Sequence, residues 1–367
     1  MALPPVIAYF ITPHGFGHAS RAAAVMSALF EEIPSIRFEL FTSCPQWIFK
    51  ESLEADFGYH PVHTDIGLVQ TSPLKQDLTG TCRELDQMLP FSRTFVEGLA
   101  AEIRELNCRM VVCDIAPLGI AAARVAGVPS VLIENFTWDW IYSGYLEAEP
   151  GLKPHIEYLA GIFRQADHHI QISPLCNPMK DCIKTGPISR KARSPRSRVR
   201  SRLGIGETDK MVLVSMGGVP DRFDFLSTLP GQLEPFLVIS GAAGRRPSHP
   251  RVLLLPAQSD FYHPDLIRAA DALVAKAGYS TVAEAYQSNL PFAYICRPDS
   301  PESDALEKFI VRHLPSRSIS PEAYAEGTWI GAVNELLALP RPMTQRENGS
   351  RQTARFIGGI LMGRGPA

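Results

Sequence analysis

Apolar residues in this chain come in short β-branched and aromatic runs, separated by longer stretches in which they recur every three or four positions. That alternation predicts strands followed by amphipathic helices, the pattern of parallel sheets built from βα units. In the first half the predicted strands are VIAYFIT (6–12), RFELFTS (37–43), RMVVCD (109–114), PSVLIE (129–134) and HIQIS (169–173). Helical periodicity fills 18–32, a long acidic stretch from about 76 to 107, 117–127 and 154–166. The alternation lapses in GPISRKARSPRSRVRSR (186–202), where seven of the last thirteen positions are Arg or Lys. It restarts with MVLVSMGG (211–218), FLVIS (236–240), RVLLLP (251–256), DALVAK (271–276) and PFAYIC (291–296).

Two Rossmann-like α/β domains follow from this reading: 1–185, a basic linker at 186–205, and a second domain from 206 to 345. The length of 367 residues is enough for two domains that each bury a core. The second domain restarts on a strand ending in a glycine pair, as the first opens on a strand and a glycine loop, but no sequence repeat connects them.

Composition narrows the partners. A formal net charge of −2 gives no overall attraction to nucleic acid or anionic membrane. The basic stretch has no interleaved aromatics for base stacking, so it reads as a solvated linker and helix. The first apolar run is too short for a secretory core and lacks a basic leader, and no run reaches the roughly 20 residues that span a bilayer. Seven scattered cysteines, with no CxxC pair and no zinc-type histidine spacing, read as reduced thiols of a cytoplasmic protein without a metal site.

The candidate chemistry begins in YFITPHGFGHASR (9–21). A strand, a glycine loop and a helix start form an architecture that binds phosphate, because the helix N-terminus offers unpaired N–H groups. Gly15 and Gly17 let a ligand or another segment approach the backbone. The third glycine of a dinucleotide fingerprint is replaced by Ser20, and no P-loop is present. His18 and Arg21 fall three apart, on one helix face, where an imidazole can take a proton from an attacking hydroxyl and the guanidinium can assist phosphates or pair with a nearby carboxylate. Asp114 ends a predicted strand on the same sheet edge and can orient the imidazole; the competing account is that it caps the next helix.

The second motif is AADALVAKAGYSTVAEAYQSNLPFAYICRPDSPESD. After a strand and Gly278, Ser280 and Thr281 open a helix with Glu284 one turn in. Helix-start N–H and hydroxyl groups suit a diphosphate, and the carboxylate suits paired ribose hydroxyls; a Thr281–Glu284 capping box is the competing account. Arg297, Asp299 and Glu302 follow in the next loop, as groups that can hold sugar hydroxyls or simply as a polar turn.

These residues resemble the GT-B glycosyltransferases, with a GxGH-type loop in the first domain and a G-x-x-T-x-x-E donor motif, Gly278, Thr281 and Glu284, in the second. More narrowly, GFGHASR, DIGLVQ, ENFTWDWIY and RPDSPE resemble predicted glycosyltransferases related to the N-terminal domain of plant-type arabinokinases. The resemblance implies two Rossmann-like domains facing across a cleft, and a C-terminal helix at 346–367 packing back across the junction. It puts His18 where inverting members keep the general base and Asp114 where its partner stands. Glu284 falls on the donor ribose, Gly217 and Gly218 on the loop facing the donor phosphates, and Glu302 near the donor sugar. Trp138, Asp139 and Trp140 would line the acceptor side, although paired tryptophans also serve as core. The segment 65–107 would form the rest of the acceptor wall. No kinase portion follows here, so sugar-kinase activity is not implied.

The expected activity is therefore an inverting, metal-independent transfer from a nucleotide-sugar, UDP-linked by resemblance, to a hydroxyl acceptor, with no cofactor. The absence of a DxD triplet agrees with positive groups and helix dipoles replacing a metal. Because GxGHxxR also resembles the UDP-sugar hydrolases of nonulosonate synthesis, a nucleotide-sugar hydrolase or epimerase is the alternative, and a binding module without turnover is a third reading.

Overall fold

A computed structural model describes residues 4–218, 221–242 and 249–363. The chain divides into two compact units: 1–69, 76–189 and 348–367 form the first, and 70–75 with 190–347 the second.

The first unit is built on strands β1 (Val6–Ile11), β2 (Arg37–Phe41), β3 (Phe57–His60), β6 (Cys108–Asp114), β7 (Ser130–Glu134), β8 (His168–Ile172) and β9 (Ile183–Thr185), the short pair β4 (Gln70–Ser72) and β5 (Lys75–Gln76) lying outside this sheet. The strand order is β3-β2-β1-β6-β7-β8-β9, and every pair is parallel. Helices cover both faces of such a sheet, which is why its central strands read as unbroken apolar runs: all six residues of β1 are buried. The order reverses between β1 and β6. In open α/β sheets that switch point, at the carboxyl ends of the strands, is where ligands bind.

The second unit repeats the plan with β10 (Met211–Ser215), β11 (Phe236–Ser240), β12 (Val252–Leu255), β13 (Ala272–Lys276), β14 (Phe292–Ile295) and β15 (Ser316–Ser318). The order is β12-β11-β10-β13-β14-β15, again parallel throughout, with its switch point between β10 and β13.

One expectation is corrected. The basic stretch is no solvated linker: the second unit begins at Arg190, and the helix Arg196–Leu203 packs on the helix His263–Ala269. Arg200 is 0% exposed, donating to the backbone oxygens of Ala269 and Gly206 and pairing with Asp271. Charge density misled because a guanidinium is tolerated inside a fold when carbonyls and a carboxylate meet its donors. The 76–107 stretch is two helices, Leu78–Met88 and Arg93–Glu105. The latter packs on the helix Pro117–Ala126. The final helix, Gly349–Leu361, follows the second unit in the chain, yet belongs to the first, where it lies against Phe16–Glu32. Gly349 is obligatory there, since a Cβ would overlap the Gly186 carbonyl oxygen.

Among the described residues, no helix is long and apolar enough to cross a membrane.

Candidate active site

At the switch point of the first sheet, β1 runs into Gly15, whose φ of 71° caps the helix Phe16–Glu32. The left-handed conformation lets the chain turn sharply from strand to helix without a Cβ penalty. His18 and Arg21 follow on one face, and Asp114 ends β6 next door, fully buried. The residue after it, Ile115, holds φ at 54°. A β-branched side chain in the left-handed region costs about 1–2 kcal/mol, and such strain gathers where a functional group must be aimed.

The three side chains form one network. The Asp114 carboxylate meets His18 Nδ1 at 2.9 Å, Arg21 Nε at 2.7 Å and Arg21 Nη2 at 2.5 Å. Arg21 Nη2 also lies 3.1 Å from Nδ1; the shorter contact, to a carboxylate that only accepts, favours a proton on Nδ1, which leaves the basic lone pair on Nε2. Burial alone would raise the Asp114 carboxyl, but the Arg21 guanidinium, with His18, outweighs it and holds the group below its ordinary value. The helix-cap account of Asp114 fails: the following helix is capped at Ala116, without a side-chain bond. Arg21 also donates through Nη1 to Asn135, whose amide donates to the Ile172 and Pro174 carbonyls. Arg21 is thus committed to the wall of the site and buried there.

Around this network the ENFTWDWIY segment packs edge-on. Phe136 and Trp138 approach the His18 ring, and Trp138 stacks on Tyr142, whose hydroxyl donates to the Gly67 carbonyl at 2.7 Å. Gly67 has φ 63°, and a Cβ there would stand 2.8 Å from His14 Nδ1, so DIGLVQ closes against the PHGFGH loop only through glycine. Trp138, 1% exposed, is a packing residue and does not line an open acceptor surface; Asp139 and Trp140 keep partial exposure. Burial raises the Asp139 carboxyl.

Asp65 was not among the expected site residues. It lies buried beside the loop, accepting from Thr12 at 2.5 Å and Thr64 at 2.8 Å. Burial pushes its carboxyl up to about 7 against those hydrogen bonds. A carboxyl raised in the native state favours folding below its unfolded pKa of about 4, and that contribution is lost as pH rises through 7. The Asp65→Asn variant should therefore gain stability relative to wild type between pH 5 and pH 8, by a few kcal/mol at most, since each tenfold change in proton affinity is worth about 1.4 kcal/mol. Urea unfolding at the two pH values measures this; parallel pH slopes would mean that Asp65 does not titrate there.

At the second switch point, the helix Tyr279–Ser288 starts from Gly278 with no side-chain cap. The capping-box account is overturned, because the buried Glu284 carboxylate is engaged elsewhere: Oε2 meets His263 Nδ1 at 3.0 Å and Oε1 meets Arg190 at 3.5 Å. Burial would raise this carboxyl, and His263 with Arg190 more than offsets it, so Glu284 is an anion. The Arg190 and Arg193 guanidinium groups both lie over the Tyr262 ring. Arg297 and Glu302 form a buried ion pair in the loop after β14, while Asp299, with φ at 55°, is exposed.

Lys276, the last residue of β13, was missed as a site residue. A Cβ on Gly217 would stand 4.0 Å from its Nζ, and one on Gly278 would stand 4.0 Å from its Cε. Its side chain therefore runs close to both the Gly217 and Gly278 turns, with the amine near Gly217. Burial, reinforced by Arg297, lowers its pKa to about 8. Sequence spacing alone could not show that the Gly217 loop comes close to it. Each sheet thus holds a polar cluster at its switch point, one built around an imidazole and one around an amine and a helix N-terminus.

No protein family model matches the chain. It is 27% identical over 367 residues to an L-arabinokinase of Arabidopsis thaliana, matching 98% of this chain and spanning 35% of that protein. It is 24% identical over 287 residues, 73% of this chain and 81% of the relative, to an uncharacterized glycosyltransferase of Methanopyrus kandleri. Among solved structures, Arabidopsis thaliana UGT89C1 complexed with UDP superposes with a TM-score of 0.62 at 10% identity, covering 97% of this chain and 99% of that one. The fold is that of the GT-B glycosyltransferases.

Proposed function

We propose that this protein is an inverting glycosyltransferase that moves a sugar from a nucleotide-sugar, UDP-linked by preference, to an acceptor hydroxyl without a metal ion. The observation that carries the reading is the His18–Asp114–Arg21 network at a strand-order reversal. His18 Nε2 takes the proton of the acceptor hydroxyl, whose oxygen attacks the anomeric carbon. The bond from that carbon to the diphosphate oxygen breaks, and its electron pair leaves with the nucleoside diphosphate. Asp114 stabilises the imidazolium that forms and keeps Nδ1 protonated. Being fully buried and held by Arg21, Asp114 is unsuited to act as a covalent nucleophile, which favours a single displacement with inversion.

The leaving diphosphate gains negative charge as the bond breaks. Lys276, the N–H groups at Ser280 and Thr281, and the Gly217–Gly218 loop would meet it, in place of a cation. Glu284 would accept hydrogen bonds from the donor ribose through the lone pairs that His263 and Arg190 leave open, and Glu302, with Arg297, would face the donor sugar. Gly15 and Gly17 would give ligand access to the backbone, and Asp139 and Trp140 would face the acceptor.

The test is donor turnover by wild type and His18→Ala with UDP-, GDP- and dTDP-sugars, without acceptor or metal, following nucleotide release and binding. Slow release abolished by the substitution, with binding retained, is expected. Fast multiple turnover by wild type without acceptor would assign a hydrolase, and no binding of any nucleotide would remove the donor site.

Lys276→Met should weaken UDP-sugar binding about tenfold or more, while leaving uridine binding unchanged, because it removes a charge-assisted contact worth about 1.5–3 kcal/mol. In wild type, donor affinity should fall about tenfold from pH 7 to pH 9, as an amine of pKa about 8 loses its proton. Titration calorimetry at both pH values decides it; a flat profile would remove Lys276 from the diphosphate site.

A further inference from the structure

Outside the two switch-point clusters, the helices Leu78–Met88 and Lys153–Phe163 bring together a thiol, a carboxylate and an imidazole. Cys82 and Asp86 stand four residues apart, on one face of the first helix. His155, 6% exposed, sits in the first turn of the second. One ligand atom from each, Sγ, a carboxylate oxygen and a ring nitrogen, lies within 4.8 Å of the others, and His155 Nε2 meets Asp86 Oδ1 at 2.9 Å. A fourth donor adjoins them. A Cβ built on Gly151 would stand 2.8 Å from Cys82 Sγ and 3.2 Å from Glu149 Oε1, so thiol and carboxylate share the space which that glycine leaves open. Glu149 is itself steadied by Thr79, whose hydroxyl donates to Oε2 at 3.0 Å.

We propose that Cys82, Asp86, His155 and Glu149 bind a divalent transition-metal ion of the zinc type. One sulfur, one nitrogen and two oxygens match the ligand chemistry and number of a tetrahedral zinc site, whereas calcium and magnesium require oxygen alone. Bonds of about 2.0–2.3 Å to a central ion put neighbouring ligand atoms roughly 3.3–3.8 Å apart. Cys82, Asp86 and His155 offer atoms within 4.8 Å of one another, Asp86 being largely exposed and able to rotate, and Glu149 would have to turn toward them to complete the set. The ion would clamp the two helices and the 149–151 turn together. Its place is independent of the transfer chemistry, since none of its ligands belongs to the His18 or Lys276 clusters. Sequence spacing could not show it, because the ligands come from two segments 69 residues apart.

The experiment is a cobalt titration of the full chain after dialysis against EDTA. One equivalent should bind with thiolate-to-cobalt charge-transfer absorption and be displaced by zinc. Cys82→Ser should lose the absorption, and Asp86→Asn, at an exposed position compatible with folding, should weaken binding at least about tenfold. Zinc should raise the melting temperature of wild type, and that of Asp86→Asn by less at the same zinc concentration. The proposal is overturned if wild type takes up no stoichiometric cobalt, or if Cys82→Ser keeps the absorption, which would place the ion at one of the other cysteines. It is also overturned if Asp86→Asn binds as wild type does, an outcome readable even where Cys82→Ser fails to fold.

Discussion

His18→Ala should lower turnover of a bound nucleotide-sugar by about 10²–10⁴-fold, the usual contribution of a positioned general base. Donor affinity should stay near that of wild type, because the groups assigned to the donor, Lys276 and Glu284 above all, lie at the other sheet's switch point. Folding should also survive, because Asp114 keeps both of its bonds to Arg21 when the imidazole is gone. Single-turnover nucleotide release, alongside equilibrium binding of the same donor, separates the two quantities. Unchanged release would make His18 a ring packed among Phe136 and Trp138 and nothing more. Loss of binding and release together would point to collapse of the loop.

Asp114→Ala should be the more damaging change, for a different reason. It leaves the Arg21 guanidinium buried without its anion, and breaking one side of a buried ion pair costs about 3–5 kcal/mol. Turnover should fall as well, since nothing then holds the His18 Nδ1 proton. The two effects part in the double variant Asp114→Asn with Arg21→Met, which should recover stability, the stranded charge having gone, without recovering turnover. The pH dependence has a definite sign. Asp114 has a lowered pKa in the folded protein, so its stabilisation is complete above the ordinary carboxylate value of about 4 and disappears as pH falls through the native value. The stability gap between wild type and Asp114→Asn should accordingly be widest near neutrality and narrow in acid. Urea unfolding at pH 7 and in acid measures it, and a gap independent of pH would mean that the carboxylate is not the stabilising partner of Arg21.

The strands of both sheets were legible along the chain because parallel strands buried on two faces leave unbroken apolar runs. FLVIS is a strand over its full predicted length, and β1, β6 and β13 end within a residue of their expected limits. The elements that were missed are short and half exposed. β3, β9 and β15 lie at or beside sheet edges, where three or four residues of mixed polarity carry no periodic signal. His18, Arg21 and Asp114 were found from local placement alone, as two residues on one helix face and a carboxylate ending the adjacent strand. Asp65, Asn135, Lys276 and His263 were not, since each matters through a partner more than twenty residues away or a loop folded over it.

By itself the sequence determined what local physics determines: which segments are strands and helices, that they alternate, and where glycine permits a strand to turn into a phosphate-facing helix. It also supplied every polar group the proposed chemistry uses. Only the tertiary structure decided how those groups are spent. Arg21 is consumed in holding Asp114 and Trp138 in packing, each one of two readings the sequence left open, and Arg200, from a stretch that read as solvated, satisfies carbonyls inside the second unit. Burial and pairing depend on which segments meet. A guanidinium is a ligand-binding group or a structural one according to whether a carboxylate already stands against it, and in this chain the carboxylate comes from 93 residues away.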